Sequence, residues 1–164
     1  MNTDLIQTGD LLHCEGNGII AKGIKLFTKS KVTHTAVAIR IWGQLFIMDA
    51  QNEGVFPRPF NAWMRKYNYK FTVSRSPFHI HEENFAKRMM TMCGSPYDRD
   101  LFLKGYPKEI ILKRNLEDSF EGNGKFICSE FAMWCHGVPQ PFRYTPKEIV
   151  EYCDNHDWKT IDIM

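Results

Sequence analysis

At 164 residues, with 43% hydrophobic and 24% charged side chains, the chain has the balance of one domain, 1–164, that buries its own core, and not of a disordered segment. A net charge of +2 and a pI near 8.2 are too mild to imply a nucleic-acid partner. Five cysteines without a C-x-x-C pair suit free thiols in a reducing compartment. With no basic-then-apolar leader and no 18-residue apolar run, neither a signal peptide nor a membrane span is expected. The expected location is the cytoplasm, although a phage or viral product could leave the cell by lysis.

Gly9-Asp10 leads into a short strand, Leu11 to Cys14, broken by Gly16-Asn17-Gly18. That turn lacks the G-K-[ST] continuation of a phosphate loop. Ile19, Ile20, Gly23, Ile24 and Phe27 recur at helical spacing, which predicts an amphipathic helix. Lys22, Lys25, Lys29 and Lys31 then form its solvated face and exit.

Val32 to Arg40 alternates as a strand, with Val37, Ile39 and Ile41 on one face and His34, Ala36 and Ala38 on the other. Two alanines beside a histidine predict free space above it. Leu45 to Ala50 is a second strand, close enough to form a hairpin with the first. A Trp42-Gly43 loop would pair Ile41 with Gln44 and Ala36 with Asp49, leaving His34 and Asp49 as diagonal neighbours about 7–8 Å apart at the backbone. A Gly43-Gln44 loop would instead bring Glu53 opposite His34. The acid partner is therefore Asp49 or Glu53, and Asp49 is preferred because it lies inside the strand, where a carboxylate needs a partner. The alternative is that Asp49 ends the strand and caps the turn at Gln51 to Gly54.

Gly54 to Phe60, with two prolines, reads as an extended connection. Tyr69, Phe71 and Val73 alternate as a strand toward Pro77. If it continues, His79 and His81 share a face, though a metal would need a third ligand. Glu82 to Cys93 is a helix with Phe85, Met89, Met92 and Cys93 as its buried stripe and Gly94 as its stop. Ser95-Pro96-Tyr97-Asp98 is a turn, and Asp100 to Leu112 reads equally well as helix or strand.

Gly122-Asn123-Gly124 is a loop, and Phe126-Ile127 a short buried approach to a helix that opens at Cys128. Its apolar stripe is Phe131, Ala132, Trp134, Cys135 and Val138, ended by Gly137 and Pro139. A thiol in the first turn meets unpaired N–H groups and the positive end of the helix dipole, which stabilise a thiolate. The bland reading of Cys128 is a small buried hydrophobe. Thr145-Pro146-Lys147-Glu148 has capping-box spacing with proline at the first helical position, so a helix runs through Tyr152 or Cys153, and Trp158 to Ile163 is a last strand.

Taken together, Gly9-Asp10, T-H-T-A-V-A-I at His34, I-M-D-A at Asp49, G-S-P-Y-D at Tyr97, I-C-S-E-F at Cys128 and Y-T-P-K-E-I at Thr145 resemble, in content and order, the circularly permuted papain-like cysteine hydrolases of the NlpC-type superfamily, particularly the YiiX-like branch. The resemblance covers nearly the whole chain. It implies an α+β fold in which an antiparallel sheet or half-barrel packs against helices, with the nucleophile at a helix N-terminus. It makes Cys128 the nucleophile, His34 the general base and Asp49 the orienting acid, where the branch typically carries glutamate. Glu53 stays in reserve, and Tyr97 lines the site as a donor to an oxyanion or substrate carbonyl. The implied chemistry is thioester-forming acyl transfer on an amide, isopeptide or ester bond, in a peptide or acyl-lipid substrate, without a cofactor. Phe56, Phe60, Trp63 and Tyr67 would line an apolar groove or fill the core. Two other classes fit the residues: a zinc module on Cys128, Cys135, His136, Cys153 and His156, and a binding or virion protein that keeps only the fold.

Overall fold

The turn at Trp42-Gly43 sets the register of the whole sheet. Both residues have left-handed φ, 50° and 79°, as a primed two-residue hairpin turn requires. In the computed structural model, which describes residues 1–68, 70–99 and 124–163, this turn joins β2 (His34–Ile41) to β3 (Gln44–Gln51), pairing Ile41 with Gln44 and Val37 with Met48. Two strands precede and follow in the same antiparallel sheet: β1 (Leu11–Glu15) and β4 (Gly54–Pro59). With β5 (Lys70–Arg75) and β6 (Lys159–Ile161) the order is β4-β3-β2-β1-β5-β6. The stretch Gly54 to Phe60, expected as a connection, is thus mostly strand. Its prolines, paired with Met48 and Phe46, are tolerated because β4 is an edge and their missing N–H groups have no second neighbour to serve.

Among the described residues the sheet is accompanied by five α-helices: α1 (Ile19–Thr28), α2 (Phe60–Tyr67), α3 (Glu82–Thr91), α4 (Cys128–Cys135) and α5 (Pro146–Asn155). One face buries Leu11, Val37, Ile39 and Met48 against Phe85, Met89, Phe131, Ala132 and Ile149 of α3, α4 and α5. The other buries Leu12, Ala36, Ala38 and Ile47 with Phe60 and Trp63 of α2. Ala36 and Ala38 are thus packed under α2, while His34 at the start of the strand borders open space, as expected. Trp63 is fully buried, and small residues on β2 leave room for its ring. Asp10 ties the start of β1 to β5 through a bidentate pair with Arg75, at 2.8 and 2.7 Å.

Several local expectations need correction. β5 stops at Arg75, so His79 and His81 lie between β5 and α3 and share no strand face. Cys93 lies beyond the end of α3 and is exposed instead of completing the buried stripe. Thr145 and Glu148 form the expected capping box, with Thr145 N–H donating to the Glu148 carboxylate at 2.7 Å. The ambiguous stretch Asp100 to Leu112, Gly122, Asn123 and the strand residue Tyr69 lie outside the described residues.

A chain of backbone contacts carries α4 to the sheet. Gly54 has φ +106°, and a Cβ there would sit 2.6 Å from the Ser95 carbonyl oxygen, so only glycine allows this approach. The next residue, Val55, donates to that carbonyl at 2.9 Å. Beside Ser95, Pro96 accepts from Phe126 N–H at 3.0 Å, and Asp98 N–H donates to Phe126 at 2.9 Å. Tyr97 and the approach to Cys128 are thereby held side by side.

Candidate active site

Cys128 is the first residue of α4, whose amide ladder begins with Phe131 N–H donating to Ile127 at 3.0 Å. The apolar approach Phe126-Ile127 drives this helix start into the protein, and Cys128 is only 6% exposed. Burial pushes the thiol up, but the charge of the His34 ring, a hydrogen bond to that ring and another from the Thr35 N–H outweigh it. The net result lies below the ordinary thiol value. Glu130, two residues on, is also buried. Burial above all, with Asp98 adding to it, pushes its carboxyl up to about 8, so at neutral pH it is protonated and sets no negative charge against a thiolate.

His34 opens β2 and is held by Asp49. Its Nε2 lies 2.7 Å from Asp49 Oδ2. With Nε2–H donated to the carboxylate, Nδ1 is the nitrogen left for the thiol. Asp49 is fully buried and accepts from four donors. Gln51 Nε2 at 2.7 Å and Trp63 Nε1 at 3.0 Å join His34 on Oδ2, while Arg58 Nη1 reaches Oδ1 at 2.9 Å. Burial alone would raise this carboxyl. The bonds from His34, Trp63 and Gln51 hold it below its usual range.

The register brings Asp49, not Glu53, to His34. Glu53 sits in the β3–β4 turn, half exposed, paired with Lys66 at 2.6 Å and Arg58 at 3.5 Å. Tyr97 is half-buried and lines the same cleft as His34 and Cys128, a space of about 460 Å³. α1 forms one wall through Ala21 and Ile24, and Tyr67 and Asn68 the opposite one. Of the four aromatics expected in a groove or core, Phe60 and Trp63 are core and Tyr67 lines the cleft. Phe56 lies on the edge strand, partly exposed.

Gln51, Arg58 and Trp63 were not anticipated as partners of Asp49. Gln51 follows Asp49 by two positions on β3, so it shares its face, and that signal was available. Arg58 pairs with Ile47, two positions from Asp49, but this follows only once P-R-P is known to be strand.

The zinc grouping does not assemble. Among the described residues no three His, Cys, Asp or Glu side chains gather as a metal would need. His136 packs between the rings of Phe85 and Trp158, at 5.1 and 4.8 Å, and His156 stacks on Tyr152 at 3.9 Å. Cys153 is instead linked to a second histidine through Ser74. His13 Nε2 lies 3.0 Å from Ser74 Oγ, and Ser74 hydrogen-bonds Cys153. Burial lowers His13 to about 4 and lifts Cys153 to about 12.

Comparison with known proteins places this geometry in a fold. No family model matches the sequence, and no curated protein does. Among solved structures, the crystal structure of metalloprotein yiiX from Escherichia coli aligns with a TM-score of 0.62 over 98% of this chain and 98% of that one, at 16% sequence identity. The sheet and helices therefore have the permuted papain-like, NlpC-type architecture that the motif order implied.

Proposed function

We propose that this chain, which has the permuted papain-like fold, is a cysteine hydrolase that transfers acyl groups through a thioester on Cys128. The observation that carries the reading is the Cys128 thiol drawn below its ordinary value by an imidazole that a buried carboxylate anchors at 2.7 Å. His34 Nδ1 takes the thiol proton as Sγ attacks the substrate carbonyl. The oxyanion is held by N–H groups at the start of α4 and by the Tyr97 hydroxyl. Protonated His34 then gives its proton to the leaving nitrogen or oxygen, and the C–N or C–O bond breaks. Water, deprotonated by the same ring, attacks the thioester and frees the thiol. Asp49 fixes the ring's orientation throughout.

The cleft mixes polar groups, Asn17, Gln51, Asn52 and Asn68, with the apolar Ala21, Ile24 and Tyr67. That lining supports a peptide amide, an isopeptide or an ester with a short apolar arm. The yiiX protein is named a metalloprotein, but the residues here do not fit a metal. Both oxygens of Asp49 face donors, one of them a guanidinium, which repels a cation from the one buried carboxylate that touches His34. No step of this reaction is routed through one. All five cysteines are free, which supports a reducing compartment; among the described residues no helix is long and apolar enough to cross a membrane.

The test is labelling with an acyl-type electrophilic probe, located by peptide mass spectrometry. Label is expected on Cys128, lost in Cys128→Ala and retained in Cys153→Ala. Label spread over Cys93 and Cys153 with none at Cys128 would overturn the assignment.

A further inference from the structure

The acid of this site carries its own counter-charge. Arg58 reaches Asp49 Oδ1 at 2.9 Å from the side opposite His34, which holds Oδ2 at 2.7 Å. The guanidinium is only 15% exposed, and Asp49 is not exposed at all, so solvent screens the pair little. Arg58 is fixed in turn by its edge strand, by the Tyr67 ring 5.8 Å beneath it and by Glu53 at 3.5 Å. Glu53 passes on to Lys66 at 2.6 Å. Charges thus alternate outward from the imidazole: Asp49, Arg58, Glu53, Lys66.

A lone buried carboxylate against an imidazole favours the imidazolium strongly. That suits the attacking step, in which His34 holds the thiol's proton, but not the release step, in which the ring must take a proton from water at neutral pH. Pairing the carboxylate with a guanidinium keeps its hydrogen-bond geometry and removes most of its field. Resting on the hydrolase reading above, we propose that Arg58 is a positioning residue that makes the Asp49–Arg58 pair act on His34 as a neutral hydrogen-bond acceptor does, setting the pH range in which Cys128 and His34 work.

The other groups facing this cluster are Cys14, opposite His34 on β1, Glu15 at the strand's end, Cys128 on α4, Tyr97, and Glu53, Lys66 and Tyr67 beside Arg58. Cys14 donates to its own strand at Leu12, and burial raises its thiol, so it stays neutral. Glu15 lines the cleft in all variants alike and does not change between them.

The experiment reads the rate of Cys128 alkylation by iodoacetamide against pH, resolved from the other thiols by mass spectrometry. Arg58→Met leaves Asp49 uncompensated and moves the limbs of the profile up by about one pH unit, a loss of roughly fivefold in rate at the wild-type midpoint. Asp49→Asn leaves Arg58 uncompensated and moves them down. The double variant, neutral at both positions, returns the limbs to the wild-type pH. A purely structural role would not give opposite shifts that cancel. Shifts in the same direction, or none, overturn the proposal, as does a double variant displaced by a full unit. The double variant buries no unpaired charge, so it decides the matter alone should either single variant fail to fold. Limbs that shift as stated while no substrate is turned over would sink the hydrolase reading and leave this one standing. Unshifted limbs on a fast-reacting Cys128 would do the reverse.

Discussion

On β2, His34 faces the thiol of Cys128; on the neighbouring strand β1, His13 reaches Ser74 and, through it, the thiol of Cys153. All four side chains are nearly sealed from solvent, at 7%, 6%, 2% and 2% exposure, so desolvation acts on both clusters. The outcomes are nonetheless opposite, with Cys128 below its ordinary value and Cys153 pushed up to about 12. Two differences account for this. His34 is held by the carboxylate of Asp49, whereas among the described residues His13 meets a hydroxyl and its Nδ1 has no partner. Cys128 opens α4, at the positive end of the helix dipole, whereas Cys153 lies in the last turn of α5, at the negative end. A buried cysteine beside a buried histidine is therefore not a reactive pair by proximity. It becomes one when the ring is held against the thiol by a fixed partner and a helix start offsets the burial.

The comparison can be broken first at the acid. Asp49→Ala leaves His34, Gln51, Trp63 and Arg58 around an empty space, and a loss of about 3–5 kcal/mol in urea denaturation is expected. Ser74→Ala, which removes the hydroxyl of the silent cluster, should cost only about 1 kcal/mol. Comparable losses would mean that Asp49 is no more embedded than an ordinary polar contact.

A second test uses acid. His13 titrates near 6.5 when unfolded but only about 4 in the fold, so below pH 6.5 the unfolded chain binds the extra proton. Its contribution is intact above pH 6.5 and is lost as pH falls from about 6.5 to 4. His136, lowered to about 4 by its own burial, adds to the same window. Denaturation midpoints followed through that window should fall less in His13→Gln than in the parent chain. An equal decline in both would show that His13 does not stay neutral in the fold.

Much of the reactive cluster was legible because local chemistry fixed it. Gly43 permits the primed turn, the turn sets the register, and the register carries Asp49 to His34. The apolar Phe126-Ile127 and the stripe from Phe131 placed Cys128 at a helix start, and Thr145 with Glu148 announced α5. What was not legible depended on pairing at long range. Pro57 and Pro59 hide a strand that lies at the sheet edge beside β3 among the described residues, so Arg58 gave no local sign of facing Asp49. Trp63 carries the spacing of a core residue, and its ring does fill core, but its Nε1–H bond to Asp49 depends on where α2 docks.

The most direct measurement is the rate at which Cys128 and Cys93 react with iodoacetamide at pH 6.5 within the same molecule, read by peptide mass spectrometry. Cys93 is exposed and Cys128 buried, so access alone favours Cys93. The account predicts that Cys128 reacts faster and that His34→Ala abolishes its lead. Cys128 reacting no faster than Cys93, or keeping its lead without the imidazole, would contradict it.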